Sequence, residues 1–215
     1  MSKALIVWGG WPGHEPETCA CETAAILREA GVTSDVSDDL NIFADAQFDD
    51  YDLLVPIVTG EHISDHAANR IQAAVRNGLG LGGFHCALAT SFKESAPFRF
   101  LVGVTWVAHP GDIIDFTVKI EDAGDPLMEG LANFSYRSEQ YYLHYDPSVH
   151  ILASTTFGGA YDPVVENVTM PVAFKRAFGS GRIFYSALGH AARELKHPEG
   201  RTILKRGLLW AMRER

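Results

Sequence analysis

No apolar run in this chain approaches the length of a membrane span, so a membrane role is not expected. The first hydrophobic stretch, residues 4–8, stops at Gly9-Gly10-Trp11-Pro12, too soon for the core of a secretory signal. Basic charge is scarce: 18 Lys and Arg stand against 27 Asp and Glu, a formal charge of −9. That balance argues against a nucleic-acid groove and against docking on an anionic membrane. Cysteine is limited to Cys19, Cys21 and Cys86. An odd number without a leader points to reduced thiols and a cytoplasmic setting. Cys19-Ala20-Cys21 lacks the spacing of a zinc knuckle or redox pair, and on a helix its two thiols would point apart. All three therefore read as small packing residues. Repeats, low-complexity tracts and linkers are missing too, so the 215 residues offer no boundary and a single domain, 1–215, is expected.

What is present suits a substantial core, with 47% hydrophobic and 21% charged residues. Residues 3–8 form an almost continuous apolar run, the pattern of a strand buried on both faces. A glycine-rich loop leads to His14, and Pro16-Glu17-Thr18 opens a helix to about residue 30, stopped by Gly31. Residues 32–36 read as a second strand and 51–58 as a third, in which Pro56 marks an end or a bulge. Ser64 is a good N-cap for a helix over 65–77, and Gly78 stops it before a central strand at 79–84. Strand and helix alternating in this way predict parallel βαβ units, hence an α/β fold. Further on, 96–101 reads as a short helix and 112–120 as a strand. The aromatic-rich 133–146 fits no pattern. Strands are expected at 149–155, 171–176 and 182–187, with a hairpin turn at Gly179-Ser180-Gly181. An amphipathic helix over 200–212 buries Ile203, Leu204, Leu208 and Trp210.

The stretch Leu79–Thr90 is the expected centre. A short strand turns at Gly82-Gly83, presents His85 and Cys86, and small residues let a helix start close behind. In open α/β sheets ligands bind outside the carboxyl ends of the strands. His14, His85 and His190 each follow a predicted strand, so three imidazoles distant in sequence are expected at one crevice, with His109 and Glu139 joining them. Imidazole is the side chain suited to proton transfer near neutral pH and the commonest metal ligand. Trp8, Trp11, Trp106 and Tyr141 are either ordinary core or the wall of a sugar-stacking cleft. His62, His66, His144, His150 and His197 are expected to be structural or solvated.

At Gly83-Phe84-His85-Cys86-Ala87 the chain resembles the ThuA-like (trehalose utilisation) family of the class I glutamine amidotransferase-like superfamily. The resemblance extends through Trp8-Gly9-Gly10-Trp11-Pro12-Gly13-His14-Glu15 and Phe98-Arg99-Phe100-Leu101-Val102-Gly103 with His109-Pro110. It continues at Ser138-Glu139-Gln140-Tyr141-Tyr142, at Gly179–Tyr185 and at Leu188-Gly189-His190, nearly the whole chain. It implies a flavodoxin-like three-layer sandwich with a mostly parallel central sheet. Two residues depart from the family pattern: Cys86 stands where Ser is usual, and Ser138 where Asp is usual. Aligned with the Gly-x-Cys-x-Gly corner of related amidotransferases, His85 rather than Cys86 takes the nucleophile position.

The resemblance implies an enzyme of carbohydrate metabolism acting on a trehalose-like disaccharide or keto-sugar. His85, Glu139 and His190 are its expected catalytic residues, and His14, His109, Trp11 and Tyr141 its substrate contacts. A divalent metal, zinc by ligand type, would sit on His14, His85 and His190. No nucleotide cofactor is expected. Two other readings stand beside this one: a non-catalytic sugar-binding or regulatory domain, and a cysteine hydrolase or amidotransferase using Cys86. A small carbohydrate is the expected partner, and a homodimer the expected assembly.

Overall fold

The computed structural model describes residues 2–214. Strand β1 (Lys3–Gly10) is buried on both faces: Ala4 and Ile6 enter one core, Leu5 and Val7 the other. Alternation within an unbroken apolar run is what a strand with both faces covered requires. There follow α1 (Pro16–Arg28), β2 (Thr33–Ser37), the single turn α2 (Ile42–Asp45), β3 (Leu53–Thr59), α3 (Asp65–Arg76) and β4 (Gly80–Phe84). Ser64 caps α3, its hydroxyl accepting the Ala67 N–H at 3.2 Å. Next come the short α4 (Cys86–Ala89), α5 (Ala96–Val102), β5 (Val104–Ala108), β6 (Ile113–Ile120), β7 (Phe134–Glu139) and β8 (Tyr142–Tyr145). The chain ends through β9 (His150–Thr156), β10 (Thr169–Phe178), β11 (Gly181–Ser186) and α6 (Pro198–Ala211).

Nine strands make one sheet in the order β2-β1-β3-β4-β11-β10-β9-β6-β7, while β5 and β8 pair separately. The first five are mutually parallel, the flavodoxin-like order of a doubly wound sheet. The last four join antiparallel and extend it. Helices α1 and α6 cover one face with Ile26, Leu27, Ile203, Leu204 and Leu208. Helices α3 and α5 cover the other with Ile71, Val75, Phe98 and Leu101. Each fully buried side chain of this kind contributes about 1.5–3 kcal/mol over the exposed state. The three-layer α/β sandwich follows.

Several local expectations change. The chain does not turn at Gly82-Gly83, since both glycines lie inside β4. They are there for close approach: a Cβ at Gly82 would collide with Leu208, and one at Gly83 would sit 2.6 Å from Leu88. The turn comes at His85. No regular helix starts behind it, because Ala87 and Leu88 have non-helical backbone, Leu88 with φ 71°. Pro56 neither ends nor bulges β3. It pairs with Val7 of β1, whereas the ladder to β4 covers only Leu53 and Leu54. Its missing donor thus falls where β3 has a single partner. The unassigned aromatic stretch becomes β7 and β8, and β5 was unforeseen. Trp210 is only half-buried, its ring centroid 5.3 Å from the cations of both Lys175 and Arg182. Cys19 and Cys86 are buried and Cys21 is exposed, so Cys21 does no packing.

Candidate functional site

Because β1, β3, β4 and β11 run parallel, their carboxyl ends reach the same edge of the sheet. The loop after β1 carries His14, β3 ends at Thr59, β4 runs straight into His85, and β11 leads through residues 187–189 to His190. His85 forms the corner, with φ 49° and ψ −118°. Holding a side-chain-bearing residue there costs about 1–3 kcal/mol, and its neighbours over-determine it. Its N–H donates to the Ser186 carbonyl at 2.6 Å, and its own carbonyl accepts the Tyr185 hydroxyl at 2.8 Å. Its ring Nδ1 lies 3.0 Å from the Ala187 carbonyl. A carbonyl only accepts, so Nδ1 carries a proton and Nε2 is the nitrogen left for chemistry. This is the elbow geometry that elsewhere mounts a nucleophile between strand and helix.

His85 Nε2 faces Glu139 Oε2 at 3.0 Å and His190 Nδ1 at 3.3 Å. His190 Nδ1 is 3.4 Å from the same carboxylate oxygen. His14 completes the group, its ring centroid 5.2 Å from that of His85 and 4.9 Å from that of His190. The three imidazole planes cross at 82°, 85° and 88°. One ligating atom from each of His14, His85, Glu139 and His190 lies within 4.8 Å of the others. Thr59 Oγ1 holds His14 Nδ1 at 2.8 Å.

The electrostatics follow from this crowding. Burial, reinforced by His85 and His190, takes His14 down to about 3, so it is neutral at pH 7. Burial would push the Glu139 carboxyl up, but hydrogen bonding and charge from His190 and His85 outweigh it and hold the group well below the usual carboxylate range. The Glu139 contact lifts His190 above its ordinary value. A lone pair on His85 Nε2 cannot rest against an ionised oxygen at 3.0 Å without a proton or a cation between them. Three imidazoles and a carboxylate are also a donor set suited to zinc and similar ions, so these residues fit a divalent cation.

Beside the cluster lies a cleft of about 480 Å³ lined by Trp11, Lys93, Trp106, His109, Asp112 and Tyr141, with His14 and Glu139 at one end. Tyr141 lies against His85, ring centroids 4.2 Å apart, and the exposed Trp11 sets an edge 4.7 Å from His14. Lys93 Nζ sits 4.1 Å from the centroid of Trp106 on β5. His109 Nε2 is 3.8 Å from Glu139 Oε1, and its Nδ1 is 3.3 Å from Asp112. Trp8 packs in the core instead. A larger hollow of about 590 Å³ on the antiparallel half includes Phe116 and Tyr161 but none of the four clustered residues. Chemistry rather than size therefore locates the site.

Residues 3–211 match the family described as ThuA, trehalose utilisation. The chain belongs to the ThuA family. Membership associates it with carbohydrate metabolism in general and with no particular reaction. Its fold matches a ThuA-like protein from Parabacteroides merdae (TM-score 0.81, 19% identity, 98% of this chain and 89% of that one). It also matches a ThuA-like protein from Bacteroides uniformis (0.78, 17%, 98% and 91%). A β-galactosidase from Bacillus circulans shares the fold at TM-score 0.61 and 14% identity, over 98% of this chain but 30% of the galactosidase. No curated protein matches.

In this ThuA-family chain every expected site residue reaches the cluster or its cleft: His14, His85, Glu139 and His190 at the centre, Trp11, His109 and Tyr141 around them. Cys86, one residue past the corner, is buried, and burial pushes its thiol up to about 11. His144 is exposed, and His150 pairs with Asp122 at 2.8 Å on the surface. Sequence reasoning missed Thr59 and Glu194. Thr59 carried a usable signal, being the last residue of a parallel strand. Glu194 had none, since its role arises only from tertiary contacts. No helix among the described residues is long and apolar enough to cross a membrane.

Proposed function

We propose that this protein is an enzyme acting on a carbohydrate-derived small molecule, of the keto-sugar or disaccharide class, in the cleft beside the imidazole cluster. His14, His85 and His190, with Glu139 beside them, would hold a divalent cation. The observation that carries the reading is the approach of His85 Nε2 to Glu139 Oε2 at 3.0 Å while His85 Nδ1 is committed to Ala187. When bound, the cation supplies Lewis acidity toward a substrate oxygen, zinc being well matched to imidazole donors with an open position.

The chain's own groups do the remaining work. Glu139 is ionised and accepts a proton from the substrate at Oε1, the oxygen turned toward His109 Nε2 at 3.8 Å. A carbonyl beside the reacting carbon makes its C–H more acidic, so a keto-sugar is the substrate type on which a carboxylate base can act. His109, whose Nε2 faces that oxygen, receives the proton or returns it. Trp11, Trp106 and Tyr141 contribute aromatic surface to the cleft wall, and the volume of about 480 Å³ suits a small ligand. The membership in a family described as trehalose utilisation supports the substrate class. The buried, weakly acidic Cys86 thiol argues against a cysteine nucleophile.

The test is elemental analysis of the purified protein, then assay of wild type and His85→Ala on 3-keto-disaccharides with products read by mass spectrometry. Stoichiometric metal and turnover lost in the variant are expected. Unchanged turnover removes His85 from the mechanism, and calorimetric binding without any product makes the protein a sugar-binding domain instead.

A further inference from the structure

We propose that Glu194 is a positioning residue that sets His190 against Glu139, an inference that rests on the cation-site reading above. Glu194 belongs to the short 3-10 turn Ala192–Lys196 and is 8% exposed. A single oxygen, Oε2, accepts the backbone N–H of His190 at 2.9 Å and the hydroxyl of Ser138 at 2.7 Å. Ser138 directly precedes Glu139. One atom therefore ties together the two segments whose side chains meet at 3.4 Å.

Side chains rather than a ladder put those segments in register, and Tyr136 of β7 also reaches this turn, its hydroxyl donating to the Glu194 carbonyl at 3.4 Å. Glu139 ends β7, the outermost strand of the antiparallel half, while His190 follows β11. No ladder joins β7 to β11, and four strand-to-strand steps separate them in the sheet order. The same turn also catches the third segment: the N–H of Ala192 donates to the carboxylate of Glu15, the residue after His14, at 3.0 Å. The loop of His14, the loop of His190 and the end of β7 thus converge on residues 192–194, while His85 is held at the end of β4 by residues 185–187.

Glu194 is a poor stabilising device. Its second oxygen is buried without a hydrogen-bond partner, and a half-satisfied buried carboxylate costs stability. Its contribution lies in geometry. Ser138 fits the same account: its hydroxyl can donate to Glu194, where a carboxylate would repel it.

The experiment titrates chelator-stripped protein with cobalt(II), following the visible absorption of the bound ion. Outer ligands of this kind are worth about 10- to 100-fold in metal affinity, so Glu194→Ala is expected to weaken cobalt by that factor and shift the band, while Glu194→Gln stays within about threefold. Rescue by Gln is expected because both hydrogen bonds fall on one oxygen, which an amide oxygen replaces. Denaturant unfolding is run on each variant; if Glu194→Ala does not fold, Ser138→Ala carries the test with the same direction. Wild-type affinity and spectrum in the folded variant overturn the proposal. If wild type takes no cobalt, the cation reading fails. The imidazole ¹⁵N spectrum of metal-free protein then decides the positioning role: the His190 signals move in Glu194→Ala and return in Glu194→Gln, and signals unmoved in both overturn it.

Discussion

In the parallel half of the sheet, β1, β3, β4 and β11 lie between two helical layers, and three of them deliver an imidazole just past the carboxyl end. In the antiparallel half, β6 alternates buried Ile114 and Val118 with exposed Asp115, Thr117 and Lys119, and β7 lies at the margin. That half delivers Glu139 through a segment that leaves the margin and passes into β8 over the crevice. His85 sits at the end of the β4 ladder with β11, while the loops that carry His14 and His190 follow their strands and are joined through the turn at residues 192–194. The carboxylate is placed by side chains reaching across elements, Ser138 and Glu194 first among them. A site assembled from both halves has a rigid part and an adjustable part.

The sharpest way to break this comparison is stability. Ile6→Ala removes a wholly buried side chain from β1 and is expected to cost about 2–5 kcal/mol. Thr117→Ala, on the open face of β6, is expected to change stability by less than about 0.5 kcal/mol. Denaturant midpoints measure both, and equal losses would show that the antiparallel half is as tightly committed as the parallel one.

A second comparison sets the two kinds of ligand against each other. His85→Ala takes away the donor held by contacts to Tyr185, Ser186 and Ala187 and is expected to lower cobalt affinity at least 100-fold, about 2.7 kcal/mol. Glu139→Gln keeps an oxygen at the same place without its charge and is expected to cost about 10-fold, or 1.4 kcal/mol. A reversed order would move the centre of the site from the parallel half to the antiparallel one.

The same division explains what could be read from the chain. The βαβ rhythm from Lys3 to Phe84 is local: apolar runs, Ser64 as a cap, Gly31 and Gly78 as stops. It sufficed to place His14, His85 and His190 at strand ends and so to anticipate their meeting. The His85 corner was displaced by two residues because Gly82 and Gly83 answer to Leu208 and Leu88, partners invisible in the local pattern. Residues 133–146 were unreadable because both halves of that stretch carry aromatics, one set packing under the sheet margin and the other capping the crevice. Tyr136 faces one core and Tyr141 the other. Glu139 stood out as an acid among aromatics and again in the family resemblance, and Glu194 was missed because a single acid four residues past a histidine has no periodicity to betray it.

Acid should find the rigid part first. In the metal-free protein His14 titrates near 3 folded, against 6.5 unfolded. Between those values the unfolded chain binds a proton the folded one refuses, so stability falls as pH drops through that window, by up to about 1.4 kcal/mol per unit. Glu139, depressed when folded, holds its stabilisation above its unfolded value of 4.5 and loses it on further acidification. His190, raised by Glu139, works the other way: its contribution is complete below 6.5 and lost as pH rises through its folded value. Unfolding midpoints from pH 7 to 4 should fall in wild type and flatten in His14→Gln. An unchanged slope in that variant would mean that His14 is not shielded.

The smallest expected effect concerns the corner itself. Cys86 adjoins the strained His85, and a reactive thiol there would make the corner a nucleophile mount rather than an imidazole mount. With its thiol pushed up to about 11, only about one molecule in ten thousand carries a thiolate at pH 7, and the side chain is buried besides. Cys86→Ala should therefore keep its cobalt affinity and turnover within about twofold, losing about 1 kcal/mol of stability from the small cavity. Iodoacetamide should label Cys21, exposed on α1, well before Cys86, as peptide mass mapping over time would record. Rapid labelling of Cys86 with loss of turnover would reassign the chemistry by one residue. Slow labelling leaves it on His85, whose backbone distortion then serves to aim Nε2 at Glu139 rather than to expose sulfur.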